Sequence, residues 1–111
     1  MYLIFNEALK YDTVNEIISM TSYDTVYTDK NGNEKTLSVK NTNQYLAGNV
    51  AAPDRVTVIG GKTGTTSAAG NCLILLARDT SGNPYIAVIL KSAERGILYT
   101  EMNALLKQAT S

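Results

Sequence analysis

An α+β fold is the class this sequence predicts, and three observations carry the prediction. Apolar residues at helical spacing occur at the two ends of the chain, strand-like runs separated by turn residues fill its second half, and an Asn-Gly dipeptide interrupts a polar, β-rich stretch between them. The 111 residues, 44% hydrophobic and 18% charged, suffice for one core in one domain. The expected plan is an antiparallel β-meander with N-terminal and C-terminal helices. It divides into a helical part over residues 1–22, a hairpin and loop over 23–55, and three strands with a closing helix over 56–111.

Each element has its own signal. "MYLIFNEALK" reads as helix, and "DTVNEIISM" either starts a second helix or resumes the first after a break. Thr13-x-x-Glu16 has the spacing of a capping box, and Val14, Ile17 and Ile18 share a face. "DTVYTDKNGNEKTLSVKN" reads as two polar strands around Asn31-Gly32, which supplies the positive φ of a tight turn, so an exposed hairpin is expected. "TNQYLAGNVAAPDR" is loop by composition, with Pro53 against regular structure. The meander then follows as "VTVIGGKTGTT", "GNCLILLARD" and "YIAVILKS", the last two joined across a "TSGNP" turn. Consecutive apolar positions in those last two strands call for cover on both faces. In "ILYTEMNALLKQA", Ile97, Leu98, Met102, Leu105, Leu106 and Ala109 form one stripe at helical spacing and are expected in the core.

Several function classes are disfavoured by composition. Ten basic and ten acidic residues cancel, and no run of like charge points to nucleic acid or acidic lipid. "CLILLA" and "YIAVIL" are too short for a membrane-spanning helix, and no charged-then-apolar secretory segment is seen. The absence of histidine removes Ser-His-Asp and Cys-His catalysis within these residues, together with the commonest metal ligand. Carboxylates are scattered, so neither a metal site nor a cofactor is expected. Cys72, the one cysteine, has no disulfide partner and opens an apolar run, which reads as a buried small hydrophobe.

The chemistry concentrates in "VIGGKTGTTSAAGNC", Val58 to Cys72, where four glycines, four hydroxyl side chains and one lysine crowd between apolar stretches. A phosphate cradle fails on spacing, because a P-loop needs glycine where Val56 stands, and no G-x-G-x-x-G occurs. What remains for Lys62-Thr63-Gly64 is either a strand edge facing a cleft, where glycine admits a ligand's backbone, or a solvated lysine in a loop. Alternation along an ideal strand interior sends Lys62 and Thr63 to opposite faces, and an edge position, with Gly60 and Gly61 easing the local twist, is one way for both to reach one cleft.

The longer run "GGKTGTTSAAGNCLILLARD…YIAVILKS" resembles the third signature and following strands of the penicillin-binding serine D-alanyl-D-alanine carboxypeptidases, relatives of the class A β-lactamases. "MYLIFNEALKYDTVNEIIS" resembles the helix after that family's second signature, and "NTNQYL" the segment before its Lys-Thr-Gly strand. The resemblance implies a partial penicillin-binding, β-lactamase-like transpeptidase domain. Such enzymes carry S-x-x-K, then S-x-N, then K-T-G. No S-x-x-K is present here, since Ser92 is followed at that spacing by Arg95. Ser81-Gly82-Asn83 fits S-x-N only literally, lying after Lys62 in a turn.

The expectation is therefore the C-terminal part of a catalytic domain, its nucleophile on chain outside these residues, and no activity alone. By resemblance, Lys62 supplies fixed positive charge, Thr63 a hydroxyl for the substrate's terminal carboxylate, Gly64 close backbone approach, and the Thr65 N–H half of an oxyanion hole. Arg95 is a second candidate anchor for that carboxylate. The implied partners are peptidoglycan D-Ala-D-Ala peptides and β-lactams, with no nucleic acid, in the extracytoplasmic bacterial envelope. A class A β-lactamase and a non-catalytic binding module of the same fold are the alternatives. The edge of "YIAVILKS", with exposed apolar area at Leu3, Ile4, Ile17 and Ile18, is expected to drive self-association.

Overall fold

The structure, a computed structural model, describes residues 1–110. Two short helices, α1 (Tyr2–Ala8) and α2 (Asp12–Ser19), precede an antiparallel pair, β1 (Ser22–Thr28) and β2 (Glu34–Lys40). After a loop come β3 (Thr57–Thr66), β4 (Gly70–Arg78) and β5 (Pro84–Ser92), an antiparallel sheet in the order β3-β4-β5, closed by α3 (Arg95–Ala109). The α+β class and the meander are as the sequence predicts. Among the described residues no helix is long and apolar enough to cross a membrane.

The central strand β4 organises the core, since Leu73 to Ala77 are all buried. Leu73, Leu75 and Ala77 face α3, where Leu98, Tyr99, Met102 and Leu106 cover them. Ile74 and Leu76 face the other way, under Phe5 of α1 and Ile18 of α2. Cover on both faces is what the unbroken apolar run requires. Burying each of these large side chains contributes about 1.5–3 kcal/mol.

Three local expectations are corrected. Of the α3 stripe, Ile97, Leu105 and Ala109 are exposed, while Tyr99 enters the core in their place. The helix lies on one sheet face, and only Leu98, Met102, Leu106 and their neighbour Tyr99 turn toward it. The Thr13 capping box does not form: α2 starts at Asp12 with Tyr11 at its N-cap, so Thr13 is already inside the helix. Asn15 Nδ2 instead donates to the Leu9 carbonyl at 2.6 Å, tying α2 to the end of α1. The first hairpin turn spans Asp29–Asn33, and Gly32 alone has positive φ, at 80°.

The β1–β2 hairpin pairs with no other strand and is exposed on both faces except at Thr25. Its projection accounts for a radius of gyration of 15.7 Å, against about 13 Å for a compact chain of this length.

Candidate active site

Lys62-Thr63-Gly64 lies on β3, an edge strand of its sheet. A bulge at Ile59 and two glycines set its course. Between Val58 and Gly60 the register with β4 shifts by one, so the residues beyond are re-aimed. A Cβ on Gly60 would stand 2.6 Å from the Ile18 carbonyl oxygen, so glycine there admits the end of α2 onto the strand.

The register decides which way each side chain points. Gly61 and Thr63 oppose Leu75 and Leu73 on the α3 face, whereas Lys62 opposes Ile74 on the α2 face. Lys62 lines two clefts, one floored by α2 and the base of the hairpin, the other running toward α3, and its ammonium donates to the Thr63 carbonyl. A side chain on an edge strand can reach both sides, which resolves the conflict that alternation poses.

All five residues singled out from the sequence, Lys62, Thr63, Gly64, Thr65 and Arg95, line the second cleft, of about 780 Å³. Among the described residues, Lys62 and Arg95 are the only charged ones on its wall. Neither is in a salt bridge among the described residues, where the pair found joins Lys10 to Glu7 at 2.8 Å. Two cations without a facing carboxylate make a concavity that favours an anion.

Arg95 reaches this wall because β5 ends in a second irregularity. Asn71 pairs with Ser92 but Leu73 with Ile89, leaving an extra residue in β5, and Lys91 there has φ 60°. The Asn71 side chain donates to the Ser92 carbonyl at 3.1 Å, and the buried Ser92 hydroxyl donates to Glu101 at 3.2 Å. These contacts hold the corner from which α3 starts at Arg95.

Sequence reasoning missed much of the opposite wall. Thr42, Gln44, Asn49 and Tyr99 also line this cleft, carried by α3 and by the loop that composition marks only as irregular. The density of amide side chains in "NTNQYLAGN" was the available signal. Tyr45 packs edge-on against Tyr99 with ring centroids 5.4 Å apart, and its hydroxyl donates to Asn103 Oδ1 at 2.7 Å. Burial pushes the Tyr45 hydroxyl well above the usual phenol range, so it stays a neutral donor. Cys72 is also corrected: it is half-buried and on the cleft wall, because β4 leaves the core there. Ser81-Gly82-Asn83 lies in the β4–β5 turn, beyond the end of the sheet where Thr57 pairs with Arg78, whereas Lys62 pairs mid-strand with Ile74 and does not share a cleft with it.

Comparison with known proteins bears on the family and the fold. A sequence profile of the D-alanyl-D-alanine carboxypeptidases, peptidase S11, matches residues 2–94. The fold is similar to a mutant of the Streptomyces K15 DD-transpeptidase, with a TM-score of 0.74 and 25% identity over 89% of this chain. The chain spans 36% of that protein's length. No curated protein matches at a significant level. With the profile covering most of its residues, and with the helices, meander and Lys-Thr-Gly edge strand in place, the chain belongs to the D-alanyl-D-alanine carboxypeptidase family, peptidase S11.

Proposed function

We propose that this chain forms the Lys-Thr-Gly wall of a serine D-Ala-D-Ala carboxypeptidase, which trims peptidoglycan stem peptides through an acyl-enzyme and is acylated by penicillins at the same serine. The observation that carries the reading is the second cleft, where two cations in no salt bridge and the Thr63 hydroxyl line one concavity with, among the described residues, no carboxylate on its wall. Lys62 and Arg95 attract the substrate's terminal carboxylate, Thr63 donates to it, and Gly64 lets the peptide backbone approach. The Thr65 N–H stabilises the oxyanion of the tetrahedral intermediate. The attacking serine and its S-x-x-K lysine would come from chain outside these residues, so the 111 residues alone are inactive. The protein that contains them works in the extracytoplasmic envelope.

The test is a titration of the isotope-labelled chain with acetyl-D-alanyl-D-alanine and, separately, with its C-terminal amide. The acid should shift the amides of Lys62 to Thr65 and Arg95, and the amide should shift them far less. Lys62→Ala should abolish the difference. Equal responses to the two peptides would exclude a carboxylate site. Incubation with labelled penicillin should leave the mass of the chain unchanged; a stoichiometric serine adduct would contradict the missing nucleophile.

A further inference from the structure

We propose that Thr42 is the positioning residue for the Thr63 hydroxyl, a role that rests on the carboxylate-binding reading of the cleft. The two hydroxyl oxygens are 2.6 Å apart, short for an O–H···O bond, although the residues lie 21 positions apart in the chain. Thr63 stands on an edge strand at the mouth of a cleft, and Thr42 is its hydroxyl partner from across that mouth.

The partner is held from both sides. Asn41 Nδ2 donates to the Met20 carbonyl at 2.7 Å, fastening the loop to the end of α2. The Asn43 N–H donates to Asn41 Oδ1 at 2.9 Å, and the Tyr45 N–H to Asn43 Oδ1 at 3.1 Å, with Asn43 fully buried. The Gln44 N–H donates to the Tyr99 hydroxyl of α3 at 3.2 Å. Thr42, itself exposed, is thus carried on a backbone pinned at its neighbours. A freely moving loop would spend conformational entropy on such a contact; here the pinning contacts have already met that cost.

Proton counting sets the direction of the bond. Each hydroxyl has one proton and two acceptor sites, and the pair shares one proton between its oxygens. If Thr63 donates to Thr42, its lone pairs face the cleft and repel an anion. If Thr42 donates, the Thr63 proton is free for the carboxylate, and the two bonds in series strengthen each other. An anion in the cleft selects the second arrangement, in which Thr42 fixes the rotamer and polarises the hydroxyl without touching the ligand.

The test compares Thr42→Val, which keeps the shape and loses the hydroxyl, with Thr42→Ser, which keeps the hydroxyl. Three-bond couplings to the Thr63 methyl group report its side-chain rotamer with no ligand present. Wild type and Thr42→Ser should show one rotamer, and Thr42→Val a mixture. Affinity for acetyl-D-alanyl-D-alanine should fall by about fivefold to tenfold in Thr42→Val and recover in Thr42→Ser, with no change for the peptide amide. A single Thr63 rotamer in Thr42→Val, or equal losses for acid and amide, overturns the proposal. Rotamer mixing in Thr42→Val without acid binding to any variant supports the positioning role and sinks the carboxylate reading instead.

Discussion

Two hairpins in this chain have the same turn and opposite fates. "DKNGN", Asp29 to Asn33, joins β1 to β2, and "DTSGN", Asp79 to Asn83, joins β4 to β5. In each, the glycine N–H donates to the aspartate carbonyl, and the aspartate N–H to the final asparagine carbonyl. In each, one aspartate side-chain oxygen accepts from two backbone N–H groups, at 2.8 and 3.0 Å in the first turn and 2.9 and 2.9 Å in the second. Gly32 and Gly82 have φ of 80° and 81°. Yet the first turn links strands that are exposed throughout except at Thr25, and the second links strands with Leu73, Leu75 and Ala87 in the core. Local chemistry makes a hairpin; what packs against it decides its worth.

The largest expected effect tests that contrast directly. Leu75→Ala, at a site with no solvent exposure, should cost about 2–5 kcal/mol in urea unfolding. Leu37→Ala, at 44% exposure on the first hairpin, should cost less than about 1 kcal/mol. Comparable losses would mean that the first hairpin is buried in solution, for instance by self-association that covers it, which sedimentation at micromolar concentration would reveal.

Next come the turn glycines. Each alanine replacement forces a left-handed residue at about 1–2 kcal/mol. Gly82→Ala should lower the global unfolding midpoint, whereas Gly32→Ala should raise amide exchange only within β1 and β2. A drop in global stability from Gly32→Ala would show that the first hairpin unfolds together with the sheet.

A smaller change of opposite sign is expected at the β5 bulge. Lys91, exposed with φ 60°, is in the region glycine tolerates best, so Lys91→Gly should stabilise by up to about 1 kcal/mol. Destabilisation would show that the lysine side chain contributes contacts that offset its backbone strain.

The smallest effect is pH dependence at the second turn. The Asn83 side chain, followed by the Asn83 backbone, the Tyr85 hydroxyl and the Ser81 backbone, holds the Asp79 carboxyl below the usual carboxylate range. A lowered pKa in the folded state makes the contribution present above the unfolded value, and it is lost as pH falls through the folded value. The unfolding midpoint should therefore drop below about pH 4, and less so in Asp79→Asn. The bond to Asp79 holds the Tyr85 hydroxyl above its ordinary range, so its contribution fades only as pH rises beyond about 10. Identical acid profiles for wild type and Asp79→Asn would remove the turn carboxylate from the account.

Much of the fold was legible because its signals are local. The strands of the meander begin and end within about a residue or two of the sequence reading, since glycine, proline and aspartate punctuate them and β4 is apolar at every core position. Lys62 was legible because a lone lysine among glycines in an apolar neighbourhood stands out. The Thr13 cap failed because a spacing rule does not say which residue opens the helix; α2 opens at Asp12 with Tyr11 at its N-cap, so Thr13 already lies inside it.

By itself the sequence determined the order of helices, hairpin and meander and roughly where both hairpins turn, because periodicity, turn residues and charge are properties of neighbouring residues. Only the tertiary structure decided that Thr42 would meet Thr63, that Tyr99 rather than Ile97 would enter the core, and that Arg95 would share a wall with Lys62. Those outcomes depend on the bulges at Ile59 and Lys91 and on where α3 lies across β4. They join residues more than twenty positions apart, and no spacing along the chain encodes a distance across a sheet.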